Sequence, residues 1–263
     1  MQPSNFDPVA ASYDAQFTHT AIGRLQRAVV QDYLEAKIRP GTAVLEVNCG
    51  TGADALWLAE QGCTVLATDS SAEMLRVTAE KARLKNQQHR IQTQALDLRD
   101  LPSGLPRFDL VFSNFGGLNC LSPDALEKLG AAVPGLLRPG GLFVAVIMGR
   151  FCWWETLYFL LKNQFKQATR RWRGGPVDAP LGAGNPVKTW YYAPAEFSRF
   201  FPNLALQTVQ PVGFWLPPSY LDPWFGRRPG LLRWLNFLEK KCRGRLWAYG
   251  ADHVLLVFKS GQA

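Results

Sequence analysis

The sequence predicts a doubly wound α/β protein, with a mostly parallel seven-stranded sheet and an inserted helical, aromatic-rich cap. Two observations carry this expectation. From residue 43 to residue 148, short apolar runs alternate with segments of helical period about 10–15 residues long, the rhythm of βαβ units around a parallel sheet. The chain then changes character. Residues 1–149 hold 13 Lys and Arg against 15 Asp and Glu, with one Trp, whereas residues 150–263 hold 16 against 6, with eight Trp. A near-neutral front half joined to a basic, aromatic back half points to two tasks.

The elements follow in order. Residues 21–38 place Ile22, Leu25, Val29 and Leu34 at helical spacing with Arg24, Arg27 and Lys37 between them, and Pro40-Gly41 stops the helix. Residues 43–47, 64–68, 91–96, 108–113 and 142–148 read as strands, and 52–61, 72–84 and 123–137 as the helices between them. Beyond residue 150 the rhythm breaks. Residues 152–172 read as one helix, apolar nearly all round at its start and basic at its end. Residues 174–185, rich in Pro and Gly, read as a loop and 194–200 as a short helix. Residues 206–212 and 253–259 supply two further strands, and 231–241 a helix between them.

Composition excludes several classes. With 47% hydrophobic residues the chain can pack a core. No apolar run is long enough to span a bilayer, and the polar first residues lack the apolar stretch of a secretory leader. Cys49, Cys63, Cys120, Cys152 and Cys242 are scattered singly without a CxxC pair, which argues against zinc and disulfides and for a reducing, cytoplasmic setting. His19, His89 and His253 form no ligand cluster, so no metal is expected.

Residues 44–52 read VLEVNCGTG, a strand, a glycine turn and a helix start. Gly50 and Gly52 let the backbone turn sharply and let a ligand approach a helix N-terminus. Gly50-x-Gly52-x-x-Ala55 also fits a dinucleotide fingerprint. The carboxylates discriminate. Glu46, Asp69 and Asp97 end the first three strands, facing the crevice of a doubly wound sheet, and no Lys or Arg occurs from residue 44 to 74. Such a site repels a pyrophosphate. It suits a sulfonium, an ammonium, a ribose diol and an adenine together, which is S-adenosylmethionine.

On these residues the front half, about 6–150, resembles the class I S-adenosylmethionine-dependent methyltransferases with the common small-molecule core. Glu46 to Gly52 matches the family's acidic glycine-rich motif, with Asn48 where Gly is usual; Asn tolerates left-handed angles, so the turn survives. Asp69-Ser70-Ser71-x-x-Met74-Leu75 matches the second motif and Ala95-Leu96-Asp97 the third. Phe108-Asp109-Leu110-Val111 matches the fourth strand, and LLRPGG at 136–141 the turn before the fifth. Phe6-Asp7 with Tyr13-Asp14 resembles the family's N-terminal lid. The resemblance implies that Asp69 holds the ribose hydroxyls, Asp97 with Leu98 meets the adenine, and Tyr13 approaches the methionine end. Asn48, Ser70, Met74 and Asn114 complete the expected cofactor set. Plainer roles stand beside these: Asp69 as a helix cap, Glu46 as a structural acid, Asp97 paired to Arg99, and Tyr13 as packing.

Three segments are therefore expected: an N-terminal lid over residues 1–20, a cofactor-binding core over 21–150, and acceptor-binding insertions with the last two strands over 151–263. His19 is the candidate general base. Trp153, Trp154, Tyr158, Phe159, Trp190, Tyr191, Tyr192, Phe214 and Trp215 are candidate acceptor walls. Tyr158-x-x-x-Lys162 has the spacing of a dehydrogenase pair but lacks its upstream Ser. The Asn-Pro-Pro-Tyr and Pro-Cys elements of nucleic-acid methyltransferases are absent, which favours a hydrophobic or lipid-like small molecule. The basic back half adds peripheral contact with an anionic membrane. Competing readings are a catalytically silent cofactor-binding module, an RNA methyltransferase and a dinucleotide-dependent oxidoreductase.

Overall fold

A computed structural model of the chain describes residues 4–181 and 186–261. Residues 1–3 of the expected lid and 182–185 of the expected loop lie outside the described residues, as do 262–263 at the end of the expected acceptor segment.

The N-terminal stretch is helical: a 3₁₀ turn at Asp7–Val9, helix α1 (Ala10–Tyr13) and a π-type turn at Asp14–Thr18. Helix α2 (Ala21–Glu35) starts where Thr20 accepts the Gly23 amide in its side-chain oxygen, at 3.0 Å. The alternating core then runs β1 (Ala43–Val47), α3 (Ala53–Glu60), β2 (Thr64–Asp69), α4 (Ala72–Leu84), β3 (Ile91–Ala95), β4 (Phe108–Ser113), α5 (Pro123–Leu136) and β5 (Leu137–Met148). The back half adds α6 (Trp153–Leu161), α7 (Phe165–Ala168), a hairpin of β6 (Val177–Ala179) and β7 (Val187–Thr189), and α8 (Pro194–Ser198). It ends with β8 (Ala205–Val212), α9 (Asp222–Phe225), α10 (Pro229–Lys241), α11 (Arg245–Ala248) and β9 (His253–Lys259).

The seven-stranded sheet has the order β3-β2-β1-β4-β5-β9-β8. The first five strands are parallel, and β9 inserts antiparallel between β5 and β8. The chain reverses its winding between β1 and β4, which opens a crevice at the carboxyl ends of those strands. Residues alternating along the strands feed two apolar layers. Val44, Leu110, Phe112 and Val144 face one layer, and Leu45, Val111, Phe143 and Ala145 the other.

The structure departs from expectation in the back half and at the N-terminus. The single helix expected over 152–172 is broken, because Asn163 adopts a left-handed φ of 57° after α6. Helix α7 then folds back, with the Thr156 hydroxyl 3.4 Å from the Ala168 carbonyl. The expected loop at 174–185 contains a short strand, β6, paired with β7. The N-terminal stretch, poor in apolar periodicity, is held in helical turns by side chains on the core.

Candidate cofactor and active site

The glycine turn between β1 and α3 is built from left-handed residues: Asn48 (φ 57°), Gly50 (φ 54°) and Gly52 (φ 75°). Asn48 thus adopts the angle expected of it, in a position where most side chains are strained. The two glycines serve different purposes. A Cβ on Gly52 would lie 2.5 Å from the Thr78 side chain, so this glycine permits α3 and α4 to approach. A Cβ on Gly50 would meet nothing within 4 Å, so this residue presents bare backbone to the open crevice.

Asp69, at the end of β2, shapes that turn. Its Oδ2 accepts the Gly50 amide and its Oδ1 the Ser71 amide, both at 2.9 Å. Burial nevertheless pushes its carboxyl above the ordinary range, against the pull of these amides. Ser71, rather than Asp69, caps α4, accepting the Met74 amide at 3.1 Å. Met74 is 1% exposed and packs beneath Val9, Ala10 and Tyr13.

Beside the turn lies a cluster of charges. Glu46 is 2% exposed and its Oε2 has no partner among the described residues. Burial first, then the charges of Asp54 and Asp69, push its carboxyl well above the usual range. Asp54 on α3 is ion-paired to Arg27 on α2 and accepts the Asn114 amide nitrogen at 2.9 Å. Burial opposes the Arg27 charge, but the Asp54 carboxylate outweighs it and the guanidinium is held more firmly protonated. Among the described residues Asp54 Oδ1 and Arg27 Nε also lack partners. Buried polar atoms are rarely left unpaired, so three orphans at one crevice mark a place built for a polar ligand. An orphaned acid near an open glycine backbone, with Asp69 on the adjoining strand, fits a cationic, diol-bearing cofactor.

The N-terminal turns are tied to this site. The Thr51 hydroxyl donates to Asp14 Oδ1 at 2.6 Å, and Lys81 pairs with Asp14. The Ser71 hydroxyl donates to Asp7 Oδ1 at 2.5 Å. Tyr13 is half-buried between these anchors, its hydroxyl pushed up to about 12 by burial. Asp97 is engaged by Arg99, whose Nε and Nη2 lie 2.7–3.1 Å from its carboxylate, and Leu98 is buried in the core.

Past β4 the chain turns at Phe115, whose φ of 47° is left-handed for a bulky residue, a strain that clusters at functional positions. The Arg27 guanidinium lies 4.8 Å from the centre of its ring, and His253 meets it edge-on at 5.3 Å. His253 opens β9 opposite Met148 at the end of β5, on the crevice edge of the sheet. Its Nδ1 is 3.3 Å from Asp252 Oδ2.

Asp252 belongs to a buried network. Arg171 Nη2 reaches Asp252 Oδ1 at 2.7 Å and Glu155 Oε2 at 2.9 Å, and Arg170 holds both Glu155 oxygens at 2.8 Å. Burial would raise both carboxyls, but these cations, with His253 beside Asp252, hold them below the ordinary range.

The expected residues divide accordingly. Tyr13, Glu46, Asn48, Gly50, Gly52, Asp69, Ser70, Met74 and Asn114 surround the turn and crevice, and Asp97 and Leu98 follow the neighbouring β3. His19 is exposed and lines an outer groove with Arg24, Asp222, Arg227 and Arg233, a groove that no residue of the glycine turn lines. Among the candidate acceptor walls, Tyr191 and Tyr192 are core residues at 4% and 2% exposure. Trp153, Trp154, Phe214 and Trp215 pack on one another, and the indole nitrogens of Trp153 and Trp154 donate to the Phe214 and Trp215 carbonyls. Lys162 lies over the Tyr158 ring at 4.5 Å, a cation–π contact. Sequence reasoning missed Arg27, Asp54, Phe115 and the Asp252–His253 pair. Asp54 stood two residues beyond Gly52, within reach of the motif, whereas Arg27 reads as an ordinary solvent-facing cation.

Fold and site define an α/β protein whose acid-lined crevice lies at the switch point of its sheet. A family model described as a methyltransferase domain matches residues 44–141. A demethylmenaquinone methyltransferase of Renibacterium salmoninarum is 33% identical over 224 residues, 82% of this chain and 84% of that protein. A malonyl-[acyl-carrier protein] O-methyltransferase of Enterobacter lignolyticus is 33% identical over 145 residues, 54% of each chain. Against the latter and an uncharacterized methyltransferase of Synechocystis, the chain spans about half of the relative's length. The CcbJ methyltransferase of Streptomyces caelestis shares the fold, with a TM-score of 0.66 at 18% identity over 99% of both chains. The chain belongs to the class I S-adenosylmethionine-dependent methyltransferases, a family of enzymes named for that cofactor.

Proposed function

We propose that the protein transfers a methyl group from S-adenosylmethionine to a small hydrophobic acceptor of lipid-like or natural-product type. The observation that carries this is a set of half-buried aromatic rings on the apolar layer shared by the sheet and the cap. Phe115, Trp154 and Tyr158 are each half-buried and pack on one apolar layer with Leu221 and Phe225. A wall of this kind removes water and holds an apolar molecule, with few polar handles to fix its orientation. The relative named for demethylmenaquinone supports a small-molecule acceptor.

In this reading Asn48, Gly50 and Gly52 cradle the cofactor and the orphaned Glu46 answers its ammonium. Asp69 and Ser70 take the ribose hydroxyls, and Asp97 and Leu98 the adenine. Tyr13, Met74 and Asn114 enclose the methyl end. When bound, the cofactor supplies a methyl carbon made electrophilic by its sulfonium. The protein's own contribution is alignment and exclusion of water. Residues 1–20 serve as the lid, 21–150 as the cofactor core and 151–263 as the acceptor segment. The basic back half adds contact with an anionic membrane, from which a lipid-like acceptor enters.

Where the acceptor atom must lose a proton, His253 is the group in position. Its Nδ1 lies 3.3 Å from Asp252 Oδ2, close to but outside hydrogen-bond geometry. A small turn of the ring would give the arrangement of a base oriented by a carboxylate. His19 is left with the outer groove.

The test is transfer of label from methyl-labelled S-adenosylmethionine to a panel of isoprenoid quinones, fatty acyl compounds, polar metabolites and RNA. Label in the hydrophobic fraction is expected. Label in RNA alone overturns the acceptor class, and cofactor binding without transfer to any acceptor identifies a silent module.

A further inference from the structure

The long helix of the cap is amphipathic in an unusual sense. On α10, Leu232, Leu235 and Glu239 point inward and are buried. Helical periodicity sends Trp234, Phe237 and Lys241 to the opposite side. There Trp234 is 56% and Phe237 59% exposed, so the outward face of α10 sets aromatic rings among the exposed cations Arg233, Lys240 and Lys241. The Lys241 ammonium lies 5.7 Å from the Phe237 ring centre. Next to it α9 presents Trp224, 51% exposed, under the Arg228 guanidinium at 3.7 Å. Within residues 215–241 of the basic back half, the earlier part is turned inward and this later part outward. Leu216, Pro217 and Pro218 are buried, and Trp215 is half-buried among other rings.

A groove runs beside these rings, between the start of α2, α9 and α10. Arg24, Arg227 and Arg233 line it, with Asn236 and His19. Its one carboxylate, Asp222, has Oδ1 taken by the Ile22 amide at 2.9 Å. The groove therefore presents a surplus of cations beside exposed aromatic rings.

We propose that this face docks on an anionic bilayer. The lipid phosphates sit in the arginine groove, and Trp224, Trp234 and Phe237 enter the interfacial layer. Charge complementarity selects the partner. Indole and phenyl rings flanked by Arg and Lys match a surface whose headgroups are negative and whose interior is apolar. A protein partner would need carboxylates ordered against each guanidinium, whereas a bilayer supplies negative charge without fixed register. The docking face also adjoins the acceptor wall, since Trp224 meets Phe225 edge-on at 4.6 Å and Phe225 meets Trp154 edge-on at 5.4 Å. A lipid-like acceptor drawn from the bilayer meets apolar rings along that line. The inference deepens the proposed function and takes its purpose, but not its test, from that reading.

The experiment is co-sedimentation of the full chain with vesicles of phosphatidylcholine alone or mixed with phosphatidylglycerol, at low and high salt. Binding is expected to the mixed vesicles only and to fall steeply with salt, because surface attraction is screened. Arg227→Glu with Arg233→Glu should lower partitioning by at least tenfold, since each cation near such a surface contributes roughly fivefold. Trp234→Ser with Phe237→Ser should weaken it severalfold. All four positions are exposed, so thermal melting and S-adenosylhomocysteine affinity should match the parent protein and certify the fold. No binding of the parent protein to anionic vesicles at low salt overturns the proposal. So does binding that both double variants leave unchanged, or stabilisation by inorganic phosphate without vesicle binding. Vesicle binding without methylation of any lipid leaves docking intact and counts only against the acceptor class.

Discussion

The Gly50 amide donates to Asp69 Oδ2 across 2.9 Å, and the same carboxylate accepts the Ser71 amide through its other oxygen. The terminal acid of β2 therefore builds the turn whose ligand it is proposed to hold. An acid serving only the cofactor would leave the empty protein's stability untouched when removed. This one should not.

Asp69→Ala is expected to lower S-adenosylhomocysteine affinity by roughly tenfold to a hundredfold, the loss of charged hydrogen bonds worth about 1.5–3 kcal/mol. It should also lower the melting temperature of the protein without cofactor, because two amides lose their acceptor. Calorimetry and thermal melting read the two effects separately. Unaltered cofactor affinity contradicts the assignment.

Glu46 gives a pH signature. Its carboxyl is raised in the folded state, by burial and by Asp54 and Asp69. Raised above its unfolded value, it contributes stability that is complete below the ordinary carboxylate range. That contribution is lost as pH rises through the raised value. A cation beside it favours ionisation, so cofactor binding should release a proton and tighten with rising pH. Glu46→Gln should melt no earlier than the parent at neutral pH, yet bind the cofactor more weakly with a flatter pH profile. Titration in buffers of different ionisation enthalpy measures the released proton.

The Arg171 network predicts the opposite slope. Glu155 and Asp252 are held below their unfolded values, so they contribute stability above the ordinary carboxylate range that is lost as pH falls through the lowered values. Arg171→Met leaves two buried carboxylates short of their partner and should cost about 3–5 kcal/mol. Denaturant unfolding at neutral pH checks the magnitude, and the loss should shrink on acidification.

The sheet was legible in the sequence because β1, β2 and β4 are largely buried and read as short apolar runs between helical segments, whereas the edge strand β3 is exposed over residues 92–94 and polar there. The acids at strand ends were legible for the same reason: strand length fixes where Glu46 and Asp69 emerge. The contributions of Arg27 and His253 were not, since both enter the crevice from elements distant in sequence and no local pattern announces a long-range contact. The break at Asn163 was hidden because the apolar and basic residues on either side fit one helical period. The exposed aromatic face of α10 was equally hidden. Periodicity marks two apolar stripes there, and only packing decides which one is buried.

His253→Ala should lower turnover by about 10²–10⁴-fold with an acceptor that must lose a proton, while leaving cofactor affinity unchanged. His19→Ala should leave turnover as it is. Turnover lost in His19→Ala and kept in His253→Ala reverses the assignment.

The N-terminal turns rest on Asp14 with Thr51 and Lys81, and on Asp7 with Ser71. Hydrogen exchange across residues 4–19 should slow on adding S-adenosylhomocysteine, because their anchors are the glycine turn and the loop after β2. Asp14→Ala should speed exchange there and weaken cofactor binding. Equal protection with and without ligand would make the segment a permanent strap.

The central claim is that the Gly50 turn, with Glu46 and Asp69, binds a cationic methyl donor rather than a dinucleotide. Calorimetry of the purified chain with S-adenosylmethionine and, separately, NAD(H) tests it most directly. Saturable one-to-one binding of S-adenosylmethionine, weakened by roughly tenfold to a hundredfold in Asp69→Ala, with no heat from NAD(H), is the predicted result. Binding of NAD(H) with no affinity for S-adenosylmethionine would contradict it.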